Sequence, residues 1–365
     1  TASSASNLAT PKGNQTITFA NPGAQNFGTT PTLIATTTAS GLTPTFSSST
    51  TGVCTITSGG VLTFITAGSC TIDVDQAGDA TWNAAPTVTQ TFTVNAIVPS
   101  APTIGTATAG DTQATVTFSA PASTGGSAII ASGYTVTASP GGATATGSSS
   151  PITVTGLTNG IAYTFTVTAT NSAGEGAESA ASNSVIPAAP QTITFANPGT
   201  QNFGTTPTLT ATSDAGGGYP VSFTSATTGV CTITSGGSLT FITAGNCTIN
   251  ANQAGDSSFL AASQVSQTFT VASVPPGSPI IGIATAGDTQ ASIAFTPPNF
   301  IGGAAITNYT VSVIPADVAP VNGTSSPIVV TGLTNGQPYT FIVSATNSAG
   351  TGSASAASNS ITPKA

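Results

Sequence analysis

The sequence contains no methionine, no histidine and no arginine, and its only basic side chains are Lys12 and Lys364. Each absence excludes something. Affinity for phosphate backbones depends on clustered Lys and Arg, so nucleic acid is excluded as a partner, and anionic membrane surfaces fall to the same argument. Without His or Arg, and with Glu175 and Glu178 as the only glutamates, little remains to build a general base, a metal centre or a phosphate clamp. The expectation is a chain that is not an enzyme and takes no cofactor. No apolar run approaches the ~20 residues of a membrane-spanning helix, and no basic n-region precedes an apolar stretch, so no membrane insertion is expected of this segment. Since Met is absent, Thr1 is not read as a translation start, and the sequence is expected to be a slice of a longer protein.

What is abundant is turn and strand chemistry. There are 41 Gly and 25 Pro, only 3% of residues are charged, and the net charge is −8. Short strands between Gly, Pro, Ser and Thr favour several small all-β units over one large core. The stretch Gly156-Leu-Thr-Asn-Gly-Ile-Ala-Tyr-Thr-Phe-Thr-Val-Thr-Ala-Thr-Asn-Ser-Ala-Gly174 returns, nearly letter for letter, at Gly332 to Gly350. Within it Tyr163, Phe165, Val167 and Ala169 alternate with Thr164, Thr166, Thr168 and Thr170. That period of two gives a strand with one apolar and one hydroxyl-bearing face. Likewise Gln15-Thr-Ile-Thr-Phe-Ala-Asn-Pro-Gly23 recurs identically at Gln191 to Gly199. The chain is therefore a two-fold internal repeat of a pair of modules, with length changes falling in loops.

Taken in order, residues 1–14 look like the segments 181–187 and 357–363 that close modules, and are read as the last strand of a preceding module. The first full module is expected over 15–97, with strands at 32–38, 43–48, 53–57, 61–65, 69–76 and 87–94 besides the opening one. In these, Cys54, Ile56, Leu62, Phe64, Cys70, Ile72, Val74, Phe92 and Val94 share inward parity. The proline-bearing segment Asn95-Ala-Ile-Val-Pro-Ser-Ala-Pro102 is a semi-rigid linker to a second module over 98–187. The third and fourth modules, 188–273 and 274–365, repeat the first and second.

The four cysteines allow three pairings, but the repeat places two in each odd module and none in the others. The expected solution is one disulfide per odd module, Cys54 with Cys70 and Cys231 with Cys247, each closing a loop of about 17 residues for about 3 kcal/mol. Paired cysteines and low charge point to secretion into an oxidising compartment, at the extracellular cell surface. No metal site is assigned. A weak calcium candidate is Asp73, Asp75 and Asp79, weighed against a solvated strand face ending in a turn, because the repeat carries Asn250, Asn252 and Asp256 there. Trp82, replaced by Phe259 in the repeat, is either a sugar-stacking platform or a plug at the end of the sandwich. The sequons at Asn14, Asn246, Asn308 and Asn322 are read as chance matches in a Thr-rich chain. The glycine pairs at 125–126 and 302–303 lack the following helix and Lys of a phosphate cradle.

Two resemblances rest on these residues. Gln15-Thr-Ile-Thr-Phe19, Phe27-Gly-Thr-Thr-Pro31, Thr51-Gly-Val-Cys-Thr-Ile56, Ala67-Gly-Ser-Cys-Thr-Ile72 and Asp75-Gln-Ala-Gly-Asp79 make the odd modules resemble the bacterial immunoglobulin-like repeats of large surface proteins. Ala114-Thr-Val-Thr-Phe118, Tyr134-Thr-Val-Thr137 and Leu157-Thr-Asn-Gly160 followed by Tyr163 make the even modules resemble bacterial fibronectin type III domains, with Tyr163 at the tyrosine-corner position. Phe118 and Phe295 stand where that family usually has Trp, and no Arg-Gly-Asp occurs. The resemblances imply an all-β fold of tandem Greek-key sandwiches in an elongated array, and a non-catalytic stalk or fibre of a bacterial surface protein or adhesin. Alternatives are a self-assembling filament or sheath, its partners being copies of the same protein, and a module binding a host or environmental glycan or protein through loop tips.

Overall fold

The computed structural model describes residues 10–215 and 220–365. The reading of residues 1–9 as part of a strand of a preceding module therefore lies outside the described residues. Among the described residues every regular element is a strand. Among these residues no helix is long and apolar enough to cross a membrane.

Four hydrophobic cores form, one for each expected module. The chain divides into two compact units, Thr1–Ala189 and Pro190–Ala365, each holding two of these cores. In the first sandwich a four-stranded sheet runs Gln25–Asn26, Val88–Asn95, Gly68–Asp75, Thr45–Ser48. Two strand pairs, Ile17–Phe19 with Ala35–Thr37 and Cys54–Ile56 with Leu62–Phe64, complete it. The inward parity read from sequence holds: Cys54, Leu62, Cys70, Ile72 and Val74 are fully buried, while Ile56 is half-buried against the same core. The strand Gln25–Asn26 has no sequence signal, being two polar residues long. It exists because Gln25 and Asn26 pair in parallel with Val94 and Asn95. Sandwich three repeats this topology, with the sheet Gln201–Asn202, Val265–Ala272, Gly245–Asn252, Ser222–Ser225.

The second sandwich packs a three-stranded sheet (Ile152–Thr155, Gln113–Ser119, Thr103–Gly110) on a four-stranded one (Thr144–Gly147, Tyr134–Ser139, Thr164–Asn171, Gly174–Glu175). Its core is made by the alternation noted above, Phe165, Val167 and Ala169 being fully buried with Val136 of the same sheet and Val116 and Val154 of the other. Phe118 lies against Tyr134 with ring centroids 4.9 Å apart, and Phe295 against Tyr309 at 4.7 Å in the fourth sandwich. Phe118 and Phe295, which stand where the resembled family usually has Trp, each thus pair with a tyrosine.

Candidate functional site

The disulfides come first because they fix the odd sandwiches. Cys54 sits on the outer hairpin and Cys70 on the four-stranded sheet, both fully buried, and the structure joins them across a Cα separation of 5.8 Å. Cys231 and Cys247 are joined in the same way. Each bond ties a two-stranded hairpin to the main sheet. Hydroxyls surround it: Ser48 and Thr50 both approach Cys54 Sγ at 3.5 Å, and the Thr50 hydroxyl also accepts from the Thr71 N–H.

The acidic candidates are not brought together. The Thr89 hydroxyl donates to Asp73 at 2.6 Å and the Thr87 hydroxyl to Asp75 at 2.5 Å, both across the strand pair. In the repeat Ser266 donates to Asn250 and Gln264 to Asn252. Carboxylate and amide thus serve the same cross-strand hydrogen bond, which explains why their exchange is tolerated. Asp79 instead closes a turn, accepting from the Thr81 N–H, the Thr81 hydroxyl and the Trp82 N–H. Those bonds, led by the Thr81 N–H, hold its carboxyl below the usual range. Among the described residues no three His, Cys, Asp or Glu side chains are grouped to hold a metal ion.

That turn presents Trp82, and the indole is half-buried because Gly13 covers it. Gly13 donates to Thr81 O and accepts from Asn83 N–H, both at 2.8 Å, and a β-carbon on Gly13 would lie 2.8 Å from the indole. Residue 13, placed by the sequence in a preceding module, is thus paired with the first sandwich. Of the sequons, Asn308 and Asn322 hydrogen-bond each other across neighbouring strands at 3.0 Å, and Asn14 accepts from Asn83.

The even sandwiches carry the corner anticipated for Tyr163: its hydroxyl accepts the Thr158 N–H at 3.1 Å. Tyr339 accepts from Thr334 at 3.2 Å and also donates to Asp317. Asn159, within the Leu157-Thr-Asn-Gly160 motif, reaches a second hairpin. Its side chain accepts from Thr112 N–H and donates to Asp111, holding the tip of the opposite hairpin, where Thr112 adopts a left-handed φ of 51°.

The arrangement with the most interdependent parts is the junction inside each unit, and sequence reasoning missed it. Asn171 is buried at the end of its strand. Its amide donates to Ile97 O and Thr124 O, each at 2.7 Å, while its carbonyl accepts from Ala173 N–H. Ile97 N–H donates to Gly125 O and Ala67 N–H to Gly126 O, so backbone from the first sandwich and the linker is bonded to the 125–126 loop of the second. Gly126 has φ of 82°, and a β-carbon there would lie 2.6 Å from the Phe27 ring. The other unit builds the same junction from Asn347 on Val274 O and Ile301 O, Ala244 on Gly303 O, and Gly303 against Phe203. The signal available in sequence is the repeated Asn-Ser-Ala-Gly and the repeated glycine pair, neither of which shows what it meets. Neutral hydrogen bonds thus fix the linker, and two backbones meet where no side chain fits.

The fibronectin type III domain family matches residues 99–185 and 274–361, the two even sandwiches. No curated protein matches the chain. Among solved structures, the FN1-FN3 domains of chicken CNTN1 share 16% identity over 73% of this chain and 99% of that one, with a TM-score of 0.24. A segment of titin domains shares 15% over 72% and 98%, TM-score 0.27. The twitchin kinase region from C. elegans shares 23% over 25% of this chain and 17% of that one, TM-score 0.23. The chain thus carries two fibronectin type III domains, each following a disulfide-bonded β-sandwich.

Proposed function

We propose that this chain is a non-catalytic spacer, part of the stalk of an extracellular bacterial surface protein of the adhesin type. The observation that carries the reading is that both units build the same junction from equivalent residues: Asn171 and Asn347 on the linker carbonyls, Gly126 and Gly303 against Phe27 and Phe203. A recognition module is free to vary its joints. A spacer keeps them, because every joint that bends freely shortens its reach. Bacterial immunoglobulin-like character of the odd sandwiches, and the boundaries 15–97, 98–187, 188–273 and 274–365, belong to this reading. Disulfides in both odd sandwiches support an oxidising, extracellular setting.

Pulling the full chain between its ends tests the role. The expected record is four separate unfolding events. Two of them should lengthen by about 55 Å on reduction, since each disulfide hides a segment that extends by about 3.5 Å per residue. A single collapse at low force would sink the spacer reading.

A second reading, lateral association of copies, rests on the strand Ile280–Gly287 at the edge of its sheet, where Ile280 and Ile283 are 59% and 74% exposed. Ile283→Lys would then reduce sedimentation at high concentration. Unchanged monomeric sedimentation of the parent chain at high concentration would end this reading.

A further inference from the structure

The two junctions share their backbone bonds but differ in several side chains, and one difference lies beside a cleft in the first unit. Phe300 of the second unit stands where Ser123 stands in the first, two residues before the paired glycines. Its ring lies on Phe203 with centroids 5.7 Å apart, and Gly303 beneath is buried. Ser123 cannot reach: its hydroxyl turns back to accept the Gly125 N–H, and Gly126 is left half-buried. Between Ser123 and Phe27 a cleft of about 530 Å³ remains, continuous with the sandwich-to-sandwich contact and walled by Phe27, Ile65 and Gly126. Ile65 is 50% exposed beside it, Thr66, Ser123 and Ser127 supply a hydroxyl rim, and no lining side chain is charged.

We propose that this cleft is a binding site for an aromatic side chain presented by an uncharged segment of a partner protein. The second unit shows the occupant's chemistry, since a phenyl ring supplied by the chain itself covers the equivalent Phe203. A ring arriving from outside would meet the same tilted aromatic face and gain the ring contact that Ser123 forgoes. The hydroxyl rim would meet the peptide backbone on either side, and the absence of charge disfavours ionic ligands. The inference goes beyond a spacing role, and it makes the two units unequal: the first is receptive and the second is self-filled.

The test titrates the full chain with acetyl-Gly-Ser-Phe-Ser-Gly-amide and follows backbone amide resonances at Ala67 and Gly126, and at Ala244 and Gly303. Saturable shifts are expected at the first pair and not the second. Ser123→Phe, which supplies the missing ring internally, should weaken the response at least about tenfold. If that variant does not fold, Phe300→Ser decides the matter by making Ala244 and Gly303 respond to the same peptide. The proposal is overturned by any of three results: no saturable shift at Ala67 and Gly126, an equal response to the peptide with Leu in place of Phe, or N-acetylglucosamine binding there in preference to the peptide.

Discussion

At the scale of single residues, the polar side chains that matter here are amides. Asn171 is buried and uses both donors of its amide on carbonyls of different segments, Ile97 and Thr124. Asn171→Asp replaces two donors by acceptors that face those carbonyls. The expected cost is about 2 to 4 kcal/mol at neutral pH, read by thermal unfolding, and it should ease as acid protonates the new carboxyl. Gln15 and Gln191 are the same device in the odd sandwiches: Gln15 is buried, donates to Asn83 O and accepts from Thr37. Among carboxylates, Asp79 and Asp214 are held below the usual 3.8, Asp214 chiefly by the Thr192 N–H. A depressed carboxyl stabilises the fold above its ordinary range, and that contribution disappears as pH falls through the folded value. The protection factor of the Trp82 amide, taken relative to its intrinsic exchange rate, should therefore fall below about pH 4, and Asp79→Asn should flatten that dependence. Both groups are exposed, so the effect stays local.

Among elements, the hairpin Cys54–Ile56 with Leu62–Phe64 depends most on a covalent tie. Its strands form a ladder of three residue pairs, with Leu62 N–H also donating to Pro31 O. Two-stranded hairpins of that length are marginal alone in water. Cys70 anchors this one to a strand paired on both sides, by Val88–Asn95 and Thr45–Ser48. With 16 residues separating the cysteines, reduction should cost each odd sandwich about 3 kcal/mol. Calorimetry with and without reductant should lower only the transitions of the odd sandwiches, because the fibronectin type III domains hold no cysteine. Their corner and hairpin-tip bonds, Tyr163 to Thr158 and Asn159 to Thr112, do not involve sulfur.

At the scale of the whole molecule, the repeating object is a pair of sandwiches within one compact unit, joined by a bonded linker. The joint depends on two glycines with positive φ, Gly302 at 72° and Gly303 at 80° in the second unit. Gly303→Ala puts a methyl group 2.6 Å from the Phe203 ring and strains a left-handed backbone. Hydrogen exchange at Ala244, whose N–H is bonded to Gly303 O, should accelerate at least about tenfold, while Val343 in the domain core stays protected. Unchanged protection at Ala244 would show that the joint does not rest on this close approach.

The sequence by itself determined the β class, the duplication, the buried face of each long strand and the partners of the cysteines. All of these follow from local period or from repetition. Phe165, Val167 and Ala169 had to share a face because the pleat alternates. Tyr163 was legible through the Leu-Thr-Asn-Gly turn before it. Tertiary structure alone decided what depends on distant backbone. Asn171 looks like any turn asparagine until Ile97 O arrives beside it, and Gly126 looks like loop glycine until the Phe27 ring occupies the space of its side chain. The same holds for Asp73, Asp75 and Asp79, whose spacing resembles a cation loop but whose partners are hydroxyls and N–H groups. A residue's type states which bonds it can make. Only the packing of sandwich against linker brings the other half of each bond within reach.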